Sequence, residues 1–80
     1  MEILKKYEGD MAIIIISHKL YGEQKIKCKL HWILNESKVG VRIKKDYEIY
    51  MYMDKIVDYG IEGKMIYFAD DLMKMDIKIA

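Results

Sequence analysis

Apolar and polar residues alternate almost without fault from Gln24 to Leu34. Ile26, Cys28, Leu30, Trp32 and Leu34 fall on one side, and Lys25, Lys27, Lys29 and His31 on the other. A period of two marks a β-strand with one apolar and one basic face. The flanking segments can be registered against it. Met11 to Leu20 reads as a strand whose run Ile13–Ile16 is β-branched and suits cover on both faces. A loop of Tyr21, Gly22 and Glu23 sets Leu20 opposite Gln24 and pairs Ile16 with Cys28, Ile14 with Leu30 and Ala12 with Trp32. A two-residue loop would put Lys19 beside Ile26, and such a slip inverts every side chain. On the other flank Asn35 to Lys38 is rich in turn formers. Pairing Leu34 with Val39 brings Trp32 to Val41, Leu30 to Ile43, His31 to Arg42 and Lys29 to Lys44.

After Lys45 the period changes. Ile49, Tyr50, Met53, Ile56 and Val57 recur at helical spacing, with Glu48, Asp54, Lys55 and Asp58 between them. Asp46 suits an N-cap and Gly60 a C-terminal stop, so a helix is predicted over about 47–59. Tyr and Ile favour strands, which leaves a strand over Tyr47–Met53 as the competing reading. Lys64–Ala69 and Met73–Ile79 then form a hairpin around Asp70 and Asp71. Glu2–Tyr7 reads as a short strand and Glu8-Gly9-Asp10 as a turn. The predicted order is ββββαββ: an α+β domain with a four-stranded antiparallel meander, one helix packed on the sheet and a C-terminal β-hairpin. An all-β small barrel or sandwich is the alternative.

Composition places the 80 residues among single globular domains, at 52% hydrophobic and 34% charged. The net charge of +1 hides an asymmetry. Residues 1–45 hold ten Lys/Arg and five Asp/Glu, and residues 46–80 hold four and eight. A basic half can point to an anionic partner or simply complement the acidic half. One cysteine excludes an internal disulfide. The longest apolar run, Met11–Ile16, is far short of the roughly 20 residues that span a bilayer. A cytoplasmic protein without a membrane partner is expected. The bias to Lys over Arg, with abundant Ile, suits an AT-rich bacterial or phage genome.

The candidate chemistry is sparse. Cys28 falls on the apolar face, where a thiol behaves as a small hydrophobe. His18 points inward opposite Ile26. One Cys and two His offer no zinc spacing, the Asp70-Asp71-Asp76 group lacks a calcium-type loop, and the glycines form no phosphate loop. No catalytic residue, metal or cofactor is therefore expected, and the chain reads as a non-enzymatic binding module. What stands out is a basic face of Lys19, Lys25, Lys27, Lys29, His31, Arg42 and Lys44. Like charges set side by side on a sheet destabilise it, which an anionic partner would relieve. Basic sheets bind single-stranded nucleic acid, although this face has no exposed aromatic for stacking, only Ile13, Ile15 and Ile33.

Gly40-Val41-Arg42-Ile43, followed by a helix after Asp46, resembles the end of the sheet in small single-stranded-DNA-binding domains of the transcriptional-coactivator and Whirly type. The resemblance covers residues 11–59 and implies a nucleic-acid partner. The C-terminal hairpin departs from that plan. The second reading is a protein–protein interaction module, or a small inhibitor protein from a phage or other mobile element. It would use a sheet edge or the residues Tyr47, Met51, Tyr52 and Tyr59. A homodimer is a further open partner.

Overall fold

The computed structural model describes residues 2–80 and is all β apart from two short 3₁₀ turns. A 3₁₀ turn over Glu2–Tyr7 precedes β1 (Met11–His18), β2 (Gly22–Lys29), β3 (Trp32–Leu34), β4 (Lys38–Lys44) and β5 (Tyr47–Tyr52). A second 3₁₀ turn (Met53–Lys55) leads to β6 (Asp58–Glu62), β7 (Met65–Ala69) and β8 (Met73–Ile79). Two antiparallel sheets result, a large one in the order β2-β1-β8-β7-β6 and a small one in the order β3-β4-β5.

The expected α+β meander with a helix over 47–59 is overturned, and the all-β sandwich is the architecture that fits. Tyr47–Tyr52 is a strand whose Ile49 and Met51 face Val41 and Val39 of β4. The same residues satisfy a period of two, with Glu48, Tyr50 and Tyr52 outside. The open edge of β4 supplied backbone partners to a segment whose residue types favour strands. Neither expected cap serves as one. Asp46 belongs to the tight β4–β5 turn, and Gly60 lies inside β6 opposite Tyr67. Without the helix, the resemblance to the coactivator and Whirly domains loses its second half. Glu2–Tyr7 is likewise a 3₁₀ turn where a strand was expected. Its Leu4 is buried at 3% exposure, so it plugs the core.

Turn chemistry sets the hairpins. Asp70 Oδ1 accepts the backbone N–H groups of Leu72 (2.8 Å) and Met73 (2.7 Å), closing β7–β8. Asn35 Oδ1 does the same for Ser37 and Lys38 at 2.9 Å, closing β3–β4. The β3–β4 register is the expected one, with Trp32 opposite Val41 and Leu34 opposite Val39. The β1–β2 register differs by four residues from expectation. Ile16 faces Gln24, Ile14 faces Ile26 and Ala12 faces Cys28. His18 therefore faces Gly22 across a turn of Lys19, Leu20 and Tyr21, where its Nδ1 accepts the Leu20 N–H at 3.0 Å. A shift by an even number keeps each side chain on its own face, so the core assignment survives.

The long alternating stretch is not one strand. It breaks at Leu30 and His31, and its halves belong to different sheets. Orthogonal sandwiches turn corners in this way. Leu30 is fully buried at the corner, its N–H donating to the Asp10 carbonyl and its carbonyl accepting from Gly9, both at 2.8 Å. The core lies between the sheets: Ile14, Ile16, Ile66, Phe68, Met75 and Ile77 from the large one, and Val39, Val41 and Met51 from the small one. The Tyr47 hydroxyl, at the start of β5, donates to Gln24 of β2 at 3.3 Å. The far end of β5 leads into Met53, which shares an apolar groove with Phe68 and Tyr59. The small sheet thus lies across the strands of the large one.

Candidate functional site

The break at Leu30 and His31 divides the expected basic face. Lys25, Lys27 and Lys29 stand exposed on the outer side of β2, beside Ile15, Ile13 and Met11 of β1. Lys29 is therefore not beside Lys44. Lys19 sits in the β1–β2 turn, its N–H donating to the Leu72 carbonyl at 2.9 Å. His31, Arg42 and Lys44 are brought together elsewhere, around a polar cleft of about 540 Å³ that Glu8, Trp32 and Lys45 also line.

The cleft is organised by the corner. Where the chain leaves one sheet for the other, backbone donors lose their ladder partners. Glu8 compensates: its Oε1 accepts the Trp32 N–H at 2.9 Å, and its Oε2 lies 3.0 Å from His31 Nδ1. The hydrogen bond from Trp32 holds the Glu8 carboxyl below its ordinary pKa, against some desolvation, and His31 adds to the lowering. A carboxyl with a depressed folded-state pKa contributes stability above the unfolded-state value. That stability is lost as pH falls through the lower folded value. Glu8→Gln is expected to cost roughly 0.5–1 kcal/mol at pH 7, a modest figure because the side chain is half exposed. Urea unfolding at pH 7 and again in strong acid checks this, since variant and wild type should converge in acid.

Arg42 is held by Glu48, with Nε and Nη2 both 3.2 Å from Oε2, while its N–H donates to the His31 carbonyl at 2.8 Å. Lys44 and Lys45 are exposed and carry no ion pair among the described residues. Further along the outer side of the small sheet, Lys38 Nζ lies 4.3 Å from the centroid of Tyr50 and 5.9 Å from that of Tyr52. The two rings meet edge to face, with centroids 5.5 Å apart and planes at 87°. Gly40 lies opposite Tyr50, so no side chain fills that position on β4. The neighbouring Tyr50 hydroxyl raises the Tyr52 phenol above its ordinary pKa, and Lys38 opposes the shift. This face therefore combines cations with aromatic rings.

Lys38, Lys45, Tyr50 and Tyr52 escaped the sequence reading as members of this face. The helix reading scattered the tyrosines around a cylinder, whereas alternation through Glu48, Tyr50 and Tyr52 is the signal that places them together. Cys28 faces inward, as expected, but opposite Ala12 instead of Ile16, and burial pushes its thiol pKa up. Among the described residues no group of three or more His, Cys, Asp or Glu could hold a metal ion, and no helix is long and apolar enough to cross a membrane. No protein-family model, no curated protein and no solved structure matches this chain.

Proposed function

We propose that the protein is a non-enzymatic module that binds single-stranded nucleic acid on the outer side of its small sheet. The observation that carries this reading is the Tyr50–Tyr52 pair beneath Lys38, on the same side of β4 as Arg42. Bases can stack on the half-exposed Tyr52 ring while Lys38, Arg42, Lys44 and Lys45 meet phosphates. Arg42 would exchange its exposed Glu48 partner for a phosphate at little cost, because exposed ion pairs are weak.

Fluorescence anisotropy with labelled single-stranded DNA, single-stranded RNA and duplex, in a salt series, tests this. Three to four neutralised phosphates give a log–log salt slope of roughly −2 to −3 on single strands. Tyr52→Ala is expected to weaken binding by about 5- to 150-fold, the range set by roughly 1–3 kcal/mol for one stacked base. Lys27→Glu, on β2, should leave it unchanged. Absence of binding at low salt, or equal binding by the Tyr52 variant, overturns the reading. The second reading, a protein-interaction module, is favoured by a different surface. Tyr59 on β6 is 73% exposed and Ile61 43%, beside the apolar groove that Ile3 and Met53 also line.

A further inference from the structure

The two outer strands of the large sheet carry opposite charge in the same pattern. On β2 the outward residues are Glu23, Lys25, Lys27 and Lys29, and the inward ones Gly22, Gln24, Ile26 and Cys28, so the half of the strand from Lys25 onward is basic outside and apolar inside. On β6 the outward residues are Asp58, Gly60 and Glu62, and the inward ones Tyr59 and Ile61. Among the described residues each strand has a neighbour on one side only. The inward residues of both are incompletely covered: Ile26 and Cys28 are half-buried, and Tyr59 and Ile61 are exposed. The three lysines carry no ion pair among the described residues, and neither do Asp58 and Glu62.

We infer that the chain associates with further copies of itself edge to edge, the acidic β6 of one copy against the lysine-bearing β2 of the next. Charge selects this pairing over the alternatives. Two antiparallel β2 strands centred on Lys27 oppose Lys25 to Lys29 at both ends and Lys27 to itself. Two antiparallel β6 strands centred on Gly60 oppose Asp58 to Glu62 at both ends, which is equally unfavourable. Only β6 against β2 sets carboxylates beside ammonium groups on the outer side and apolar residues beside apolar residues on the inner side. Five strands alternating in direction leave β2 and β6 running the same way. With the inner sides aligned, the new ladder is therefore parallel. It sets Asp58 near Lys25 and Glu62 near Lys29 of the neighbouring copy, with Lys27 beside Gly60, whose outer side is covered by the end of the Tyr67 ring. Tyr59 and Ile61 then gain cover from Ile26 and Cys28. Because the two surfaces differ, the contact does not close on itself and adds copies in a row. This association does not depend on nucleic acid.

Sedimentation equilibrium of the whole chain, without nucleic acid, tests it. At low salt the weight-average mass of the wild type should rise with concentration and pass that of a dimer. At about 1 M salt, where charges are screened beyond about 3 Å, it should return to the monomer. The double variants Lys25→Glu/Lys29→Glu and Asp58→Lys/Glu62→Lys should each remain monomeric, because each then has two edges of like sign. An equimolar mixture of the two should associate again, since every mixed contact restores opposite charges. A wild type that stays monomeric at millimolar concentration overturns the inference, whether or not the variants fold. So does a mixture of folded variants that stays monomeric, or continued self-association by either folded variant alone.

Discussion

Gly40→Ala is expected to destabilise the fold by about 3 kcal/mol or more, the upper part of the range for overpacking a tight interior. A Cβ at this position would lie 2.1 Å from the Ile49 carbonyl oxygen and 2.5 Å from the Tyr50 Cα. Both atoms are backbone, so no rotamer change relieves the contact and β5 itself must move. Gly40 is not at positive φ, so the cost comes from the neighbouring strand rather than from its own conformation. For a domain of this size each kcal/mol lowers Tm by about 4–8 °C, so a fall of about 12–24 °C is expected in a thermal melt. Gly60→Ala is the natural comparison. There the nearest atoms, 2.7–2.9 Å away, belong to the end of the Tyr67 ring, which can swing aside. A fall in Tm no larger for Gly40→Ala than for Gly60→Ala would show that β5 is not held against β4 as described.

Leu30→Ala should be nearly as damaging. Leu30 is fully buried where the chain passes from the large sheet to the small one, and both of its backbone polar groups are engaged. Truncating a buried leucine costs about 2–5 kcal/mol, more where the surroundings cannot collapse into the space. Here collapse is hindered because the walls belong to two sheets joined at that point. Against a total stability of about 4–12 kcal/mol, such a loss leaves a marginal protein. Equilibrium urea denaturation measures it. The control is Leu20→Ala in the β1–β2 turn, 73% exposed, for which a change within about 0.5 kcal/mol is expected. Equal losses from the two substitutions would remove the corner from the account of stability.

Much of the fold was legible in the sequence wherever one face of a strand meets the core. Met73–Ile79 alternates cleanly, and with the apolar run of Lys64–Ala69 it forms the expected hairpin around Asp70. The β3–β4 register could be read because Asn35 to Lys38 left few ways to close the turn. The β1–β2 register could not. Gln24 and Glu23 are polar, and nothing in their chemistry says whether they lie in a loop or opposite Ile16 and Ser17. The strand at Tyr47–Tyr52 was hidden by ambiguity of period. Ile49, Tyr50 and Met53 fit a helical face, and only the waiting edge of β4, a tertiary fact, decides otherwise. The corner at Leu30 and His31 was invisible for the opposite reason: the alternation continues through it, because both halves keep their apolar residues inward while changing sheets. That corner also explains why the basic face was read as one surface when it is two.

The order of the strands bears on how the molecule meets a mechanical load. Among the described residues all the ladders but one join strands that follow each other along the chain; the exception, β1 with β8, ties residues 12–18 to residues 73–79. In that antiparallel ladder Ala12 lies opposite Ile79, and the Ala80 N–H donates to the Met11 carbonyl at 3.1 Å. Tension drawn between Met11 and Ile79 thus arrives at one end of the ladder, and its hydrogen bonds bear the load in succession instead of together. Along that axis the large sheet parts as a zipper does, whatever the thermodynamic strength of the core beneath it.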